Sequence, residues 1–276
     1  MMSADKMAKY LNGCEVKETV QKCLELLKLI PEDSEVMLSE NIMEVLIDAV
    51  SDAEVGLIEF LRKGGLNVCL AYIKGPYVGL RLKACRLIAE ITQNNYPAQD
   101  AAYSAGLLPS LIKQIDTDTE MKHAMSAISS IVRGHPEAMK FFVQNGGPEF
   151  LRRGLRAESV DIVIKFAFFV GNAFTDCRSL KGDIRAVGVV AILLKRIDKA
   201  VEINEEYLVE TLLGALIDIV DDDNQAIEEC QLPENRLREN LRICKETYPP
   251  SPCSDLARFV QILTDKLFNG TVQDAE

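Results

Sequence analysis

Side chains able to shuttle protons, attack carbonyls or hold metals are few in this chain and do not gather. Histidine is the commonest proton shuttle because its ring titrates near neutral pH, and only His123 and His135 are present. They stand at opposite ends of one expected helix, with no nucleophile-elbow serine or cysteine near either, so surface or capping roles are expected of both. The eight cysteines (Cys14, Cys23, Cys69, Cys85, Cys177, Cys230, Cys244, Cys253) form no C-x-x-C pair that could start a zinc or redox site, and free, mostly buried thiols are expected. GGLNVCLAYIKGPYVG lacks the glycine spacing of either phosphate-cradling loop, and DTDTE at 116–120 lacks the alternating ligands and glycine of a calcium loop. The acidic run Asp221, Asp222, Asp223, Glu228 and Glu229 reads as a solvated helix end. No catalytic residue, metal ligand, cofactor or nucleotide site is therefore expected, and function should reside in binding.

Composition narrows the partner. A formal charge of -11 would repel a phosphate backbone, whose recognition depends on Lys and Arg, so nucleic acid is not an expected ligand. The 276 residues are 48% apolar and 26% charged, with no Trp, 16 Gly and 10 Pro, which favours helices over a turn-rich sheet. The opening MMSADKMAKYLNGCEVKETV has no apolar run after its basic residues, and no segment is apolar for long enough to cross a bilayer, so a cytoplasmic protein without a membrane partner is expected.

The elements that would present a binding surface show themselves as a repeat. Apolar residues recur at offsets 0, +3, +4 and +7 from Met43, Ala84, Ala124, Phe166 and Leu213, which draws one stripe down each of five helices. The anchors lie 40 to 47 residues apart, within or close to the range of armadillo and HEAT repeats. Twenty-two residues after the first four anchors stand Gly65, Gly106, Gly146 and Gly188, and after the fifth Asn235, types that tolerate a left-handed turn. A leucine follows each glycine by five residues (Leu70, Leu111, Leu151, Leu193), opening a second helix, while Pro97 and Pro136 suit the first turn of another. The expected architecture is all-α, an armadillo- or HEAT-like right-handed solenoid of about four to five three-helix repeats with helical caps. Its expected divisions are a cap at 1–40, repeats at 41–235, closing helices at 236–268 split by the breaker PPSP, and a flexible tail at 269–276, all in one continuous domain.

In armadillo stacking the anchor helix lines the inner curve. With 0, +3, +4 and +7 buried, the stripe at -1, +2, +6 and +10 faces the groove. Across the middle repeats it reads Lys83, Arg86, Glu90, Asn94; His123, Ser126, Ser130, Gly134; Lys165, Phe168, Asn172, Asp176. The same offsets in the outer repeats are more apolar (Ile42, Val45, Ala49; Leu212, Ala215, Ile219), consistent with burial under the caps or with further contact surface. Phe168 beside Asn172 suits an interface anchor with its polar neighbour, or Phe168 joins the core with Phe166 and Phe169.

Several runs resemble a known family. VGLRLKACRLIAEITQNN at 78–95, AISSIVRGHPE at 127–137, KFAFFVGNAF at 165–174 and CQLPENRLRENL at 230–241 look like the armadillo-type nucleotide exchange factors of the 70-kDa heat-shock chaperone, in register from about 40 to 268. The resemblance implies a co-chaperone that embraces one lobe of the chaperone's ATPase domain with its concave face and so promotes ADP release. It would bind no nucleotide itself and would be a monomer when free. The partner-binding residues it implies are Lys83, Arg86, Glu90, Asn94, His123, Ser126, Ser130, Lys165, Phe168, Asn172 and Asp176. The rival is an armadillo scaffold for extended peptides. Such grooves use a ladder of Trp and Asn, whereas this chain has no Trp and only Asn172 at the ladder offset, which favours a folded partner.

Overall fold

A helix with one apolar stripe is stable only when another helix covers it. In the computed structural model, which describes residues 11, 13–30, 36–51, 53–113, 117–176 and 181–269, the stripes are covered by stacking. The helices fall into two compact units, Met1–Asn145 and Gly146–Glu276.

The first unit holds α1 (Val16–Leu29), α2 (Val36–Ser51), α3 (Glu54–Arg62), α4 (Gly65–Lys74), α5 (Val78–Thr92), α6 (Tyr96–Ser104), α7 (Leu107–Lys113), α8 (Asp118–Val132) and α9 (Pro136–Gln144). The stripe helices α2, α5 and α8 stand side by side in that order, α1 packs on α2, and α4 and α7 form a second row behind them. The second unit holds α10 (Gly147–Leu155), α11 (Val160–Asp176), α12 (Lys181–Ala186), α13 (Val189–Glu202), α14 (Glu206–Val220), α15 (Asn224–Gln231), α16 (Leu237–Thr247) and α17 (Leu256–Thr264). There α11, α14 and α17 make the stripe row, with α10, α13 and α16 behind it. No strand occurs among the described residues, and no helix there is long and apolar enough to span a membrane. Part of the expected cap, residues 1–10, and most of the expected tail, residues 270–276, lie outside the described residues.

The first four stripes are buried at every expected position, each full-size side chain contributing about 1.5–3 kcal/mol by leaving water. The fifth is shifted. Ile217 is only half-buried, whereas Leu212, Ala215, Leu216 and Ile219 are all at most 5% exposed, so the true anchor is Leu212 and not Leu213. Helix α14 is apolar on nearly every side, so periodicity alone fits either register. Packing decides it: α11 approaches so closely that a Cβ on Gly171 would sit 3.2 Å from the Cα of Ala215.

With that correction a recurrent helix ending appears. Ten residues after Ala84, Ala124 and Leu212 stand Asn94, Gly134 and Asp222, all left-handed (φ 54°, 73° and 59°). The next residues, Asn95, His135 and Asp223, cap the following helix by accepting from the amide N–H of Ala98 (3.1 Å), Ala138 (3.2 Å) and Ala226 (3.1 Å). Each of those alanines is fully buried. The expected turn glycines Gly106, Gly146 and Gly188 are left-handed, but in the first repeat that role falls to Gly64 and in the last to Arg236 instead of Asn235. Gly65 is bare for another reason: the Phe60 ring occupies the place of its Cβ, 2.2 Å away.

Cys23, Cys69, Cys85, Cys230 and Cys244 are buried, Cys14 is half-buried and Cys253 is exposed, while Cys177 lies outside the described residues. Burial pushes the thiols of Cys23, Cys85 and Cys230 up to about 12 and that of Cys244 up to about 11. A thiol reagent at pH 8 should therefore label Cys253 at once and the five buried thiols only in denaturant; their rapid reaction in the folded protein would contradict this packing. The caps give a graded expectation in urea unfolding. Asn95→Ala should cost about 1 kcal/mol. Asp223→Ala should cost more, because it also strands Arg185, whose Nη1 lies 2.6 and 2.7 Å from the two carboxylate oxygens.

Candidate protein-binding face

In the first unit, α5 and α8 turn a polar stripe away from the core. Two of its expected cations are already engaged. Arg86 Nη1 lies 2.9 Å from Glu44 Oε2 on α2, and Lys83 donates to Glu44 Oε1. These bonds, led by that from Lys83 and opposed by burial, hold the Glu44 carboxyl below the usual carboxylate range. An acidic group of a partner must compete with Glu44, which periodicity missed because it lies at offset +1 of the first repeat. Glu90 is exposed on the same helix. Asn94, exposed two residues past the end of α5, is left-handed, so its backbone also sets the turn that follows the helix.

On α8 the hydroxyls turn inward. Ser126 Oγ donates to the Lys122 carbonyl (3.2 Å) and Ser130 Oγ to that of Ser126 (2.8 Å), which leaves a flat surface of short side chains. His123 Nδ1 lies 2.9 Å from the Thr119 carbonyl, which can only accept, so Nδ1 is the donor in this contact. The start of α8 is tied to α5 beneath this face: Arg81 Nε meets Glu120 Oε1 at 2.5 Å, Arg81 Nη1 donates to the Gly75 carbonyl at 2.7 Å, and Thr117 Oγ1 donates to Glu120 Oε2 at 2.7 Å.

His135 sits at the far end of α8, 1% exposed, stacked on Tyr96 at 4.9 Å between ring centroids. Its Nδ1 is occupied by the Ala138 amide and its Nε2 stands 3.6 Å from Asp100 Oδ1. This is a helix cap built from a histidine.

In the second unit α11 presents Lys165, Phe168 and Asn172 in one row. Phe168 is 60% exposed, while Phe166 and Phe169 are buried, which removes Phe168 from the core. Asn172 Nδ2 donates to the Phe168 carbonyl at 2.6 Å, and among the described residues its amide oxygen is left to accept. Asp176 ends α11 with its side chain outside those described. On α14 the corrected register replaces Leu212, Ala215 and Ile219, which are core, with Thr211, Gly214 and Asp218 at the face offsets. Tyr207, 66% exposed, stands one turn before Thr211. The anomalous apolar stripe in this outer repeat was thus a register slip. In the first repeat Ile42 is buried and Val45 and Ala49 are half-buried.

Comparison with solved structures establishes the class. The chain is similar to a designed armadillo repeat protein in complex with the peptide (KR)4, with a TM-score of 0.73 at 17% identity over 92% of this chain and all of that one. Computationally designed armadillo repeat proteins for modular peptide recognition match with a TM-score of 0.71 at 17% identity, over 90% and 97% of the respective chains. The fold is accordingly an all-α armadillo-type solenoid. No family model matches the chain. Among curated proteins it is similar to Hsp70-binding protein 1 of Rattus norvegicus and of Homo sapiens, 28% identical over 207 residues in each case. The match covers 74% of this chain and 57% and 56% of those proteins, so the chain spans a little over half the length of the curated relatives it matches.

Because Phe168 is exposed, Phe168→Ala should change unfolding free energy by less than about 0.5 kcal/mol. Glu44→Ala, which breaks only solvent-accessible pairs, should cost less than about 1 kcal/mol. Urea titration checks both, and a loss of several kcal/mol for Phe168→Ala would return that ring to the core.

Proposed function

We propose that this chain is a non-enzymatic, cytoplasmic co-chaperone that binds the ATPase domain of a 70-kDa heat-shock chaperone and promotes ADP release. The observation that carries the reading is the similarity to Hsp70-binding protein 1 along 207 residues. Supporting it, the row on α11 combines one exposed aromatic with an amide oxygen left to accept, the composition of an interface anchor with a polar neighbour. The stripe on α5 and α8 carries both charge signs and short hydroxyl side chains, which suits a folded surface of mixed polarity.

The proposed contact set is Lys83, Arg86, Glu90, Asn94, His123, Ser126, Ser130, Lys165, Phe168, Asn172 and Asp176, extended by Thr211 and Asp218 from the corrected register of α14. Release of ADP requires no chemistry from this chain. Two ligands of one chaperone that each weaken the other's hold are negatively coupled, and the coupling is reciprocal: the chaperone holds this protein less tightly when ADP is bound, by the same factor. The protein itself needs no nucleotide site and acts as a monomer.

The alternative is a scaffold that binds another protein or an extended peptide without exchange activity; solved armadillo relatives include one in complex with the peptide (KR)4. One experiment separates the two. A cytosolic 70-kDa chaperone is loaded with fluorescent ADP and chased with excess ATP, with rising amounts of this protein. Release should accelerate with concentration and saturate, and Phe168→Ala, Asn172→Ala and Arg86→Glu should each shift the half-maximal concentration upward by about tenfold, near 1.4 kcal/mol. An unchanged release rate at all concentrations would reject exchange activity; wild-type behaviour of all three variants would reject the contact set.

A further inference from the structure

Within the second unit a cleft of about 490 Å³ opens between the end of α10 and the side of α13, away from the row of stripe helices. Its walls carry Arg156, Lys195, Arg196 and Lys199 against one lining carboxylate, Glu158, so it is strongly positive on a chain whose net charge is -11. Val187, Ala191 and Ile192 supply apolar surface.

Among the described residues these four cations are only partly balanced, with Glu158 the one carboxylate that lines the cleft. Arg196 spends its guanidinium on neutral groups: Nε donates to the Leu155 carbonyl at 2.7 Å and Nη2 to that of Ala157. It is half-buried; desolvation lowers its pKa and the nearby Glu158 opposes that shift, while its hydrogen bonds go to carbonyls instead of a carboxylate. Arg156 and Lys195 are exposed and form no ion pair within 4 Å among the described residues. Lys199 reaches Glu158 only at 4.0 Å, both side chains being largely in water, where such a pair contributes little. The nearby acids serve other partners. Asp198 holds Arg236 at 3.2 Å and Asn240 at 3.1 Å. Burial pushes the Glu229 carboxyl up, while the Ala191 amide at the N-terminal end of α13 favours its charged form.

We propose that this cleft is a second docking site, separate from the chaperone-binding face, and that it takes an acidic segment of a protein: carboxylates on Arg156, Lys195 and Lys199, with an apolar side chain against Val187, Ala191 and Ile192. Lys195 and Lys199 are one helical turn apart, about 5–6 Å at their Cβ atoms, a spacing suited to carboxylates a residue or two apart on an extended chain. Charge complementarity selects the ligand's sign, and the apolar lining selects a peptide over inorganic phosphate. Nucleic acid fits less well: the surrounding chain is acidic and no aromatic ring lines the cleft on which a base would stack. The proposal stands whether or not the chaperone reading holds.

The test uses the full chain and a fluorescein-labelled ten-residue peptide alternating Glu or Asp with Leu, followed by anisotropy. Binding to the wild type should weaken about tenfold or more in Lys195→Glu/Lys199→Glu, weaken also when Ser replaces the Leu residues, and fall as salt rises. Both lysines are exposed, so the double variant should keep its helical circular dichroism; Arg156→Gln, which removes one charge without reversing it, should show a smaller loss in the same direction. Absence of binding to the wild type, equal binding by the wild type and a folded double variant, or tighter binding of a ten-nucleotide oligouridylate than of the peptide would each overturn the proposal.

Discussion

Every stripe in this chain must be covered by a neighbour's, because an amphipathic helix gains stability by hiding one face and has no second helix of its own to hide it against. The core is therefore a row of contacts between successive repeats. Ala84, Leu87, Ile88 and Ile91 of α5 are buried between α2 and α8, and Leu212, Ala215, Leu216 and Ile219 of α14 between α11 and α17. Covering one side of each helix in this way leaves the opposite side free, and the free sides carry the candidate contact residues.

The same constraint explains why the connections between repeats are so regular. Helices that must lie side by side have to stop and restart at fixed points, and the chain does so with a left-handed residue followed by a side-chain cap and a buried alanine. Asparagine, glycine and aspartate serve in the first role, and asparagine, histidine and aspartate in the second. A histidine can stand among these because a neutral ring nitrogen accepts an amide hydrogen bond as a carboxylate or amide oxygen does. One of the chain's two histidines is thereby committed to architecture.

Charge is handled by the same pairing of neighbours. Arg81 with Glu120, Arg86 and Lys83 with Glu44, and Arg185 with Asp223 all bridge segments about forty residues apart in sequence, one repeat to the next. The exposed pairs on Glu44 contribute little to stability, whereas removing one partner of the largely buried Arg81–Glu120 or Arg185–Asp223 pair leaves a buried charge alone. Where cations outnumber carboxylates, as around the cleft beside α13, the imbalance stands out against an acidic chain.

The amino-acid pattern by itself determined that the chain is helical and repetitive. Spacing of 0, +3, +4 and +7 marks a buried face whatever the partner, and the first four anchors were legible because their helices are apolar on one side and polar on the other. It also placed the turn glycines at 106, 146 and 188, where a left-handed backbone excludes most other residues. Tertiary structure alone decided the rest. Helix α14 is apolar nearly all round, so only contact with its neighbours could choose Leu212 over Leu213 as anchor. Phe168 lies between two core phenylalanines in sequence, and only the packing of α11 shows it turned to solvent. The pairing of Glu44, the bonds of Arg196 to the Leu155 and Ala157 carbonyls and the excess of cations beside them depend on which side chains meet across repeats, a relation of distance in space that a one-dimensional period does not carry.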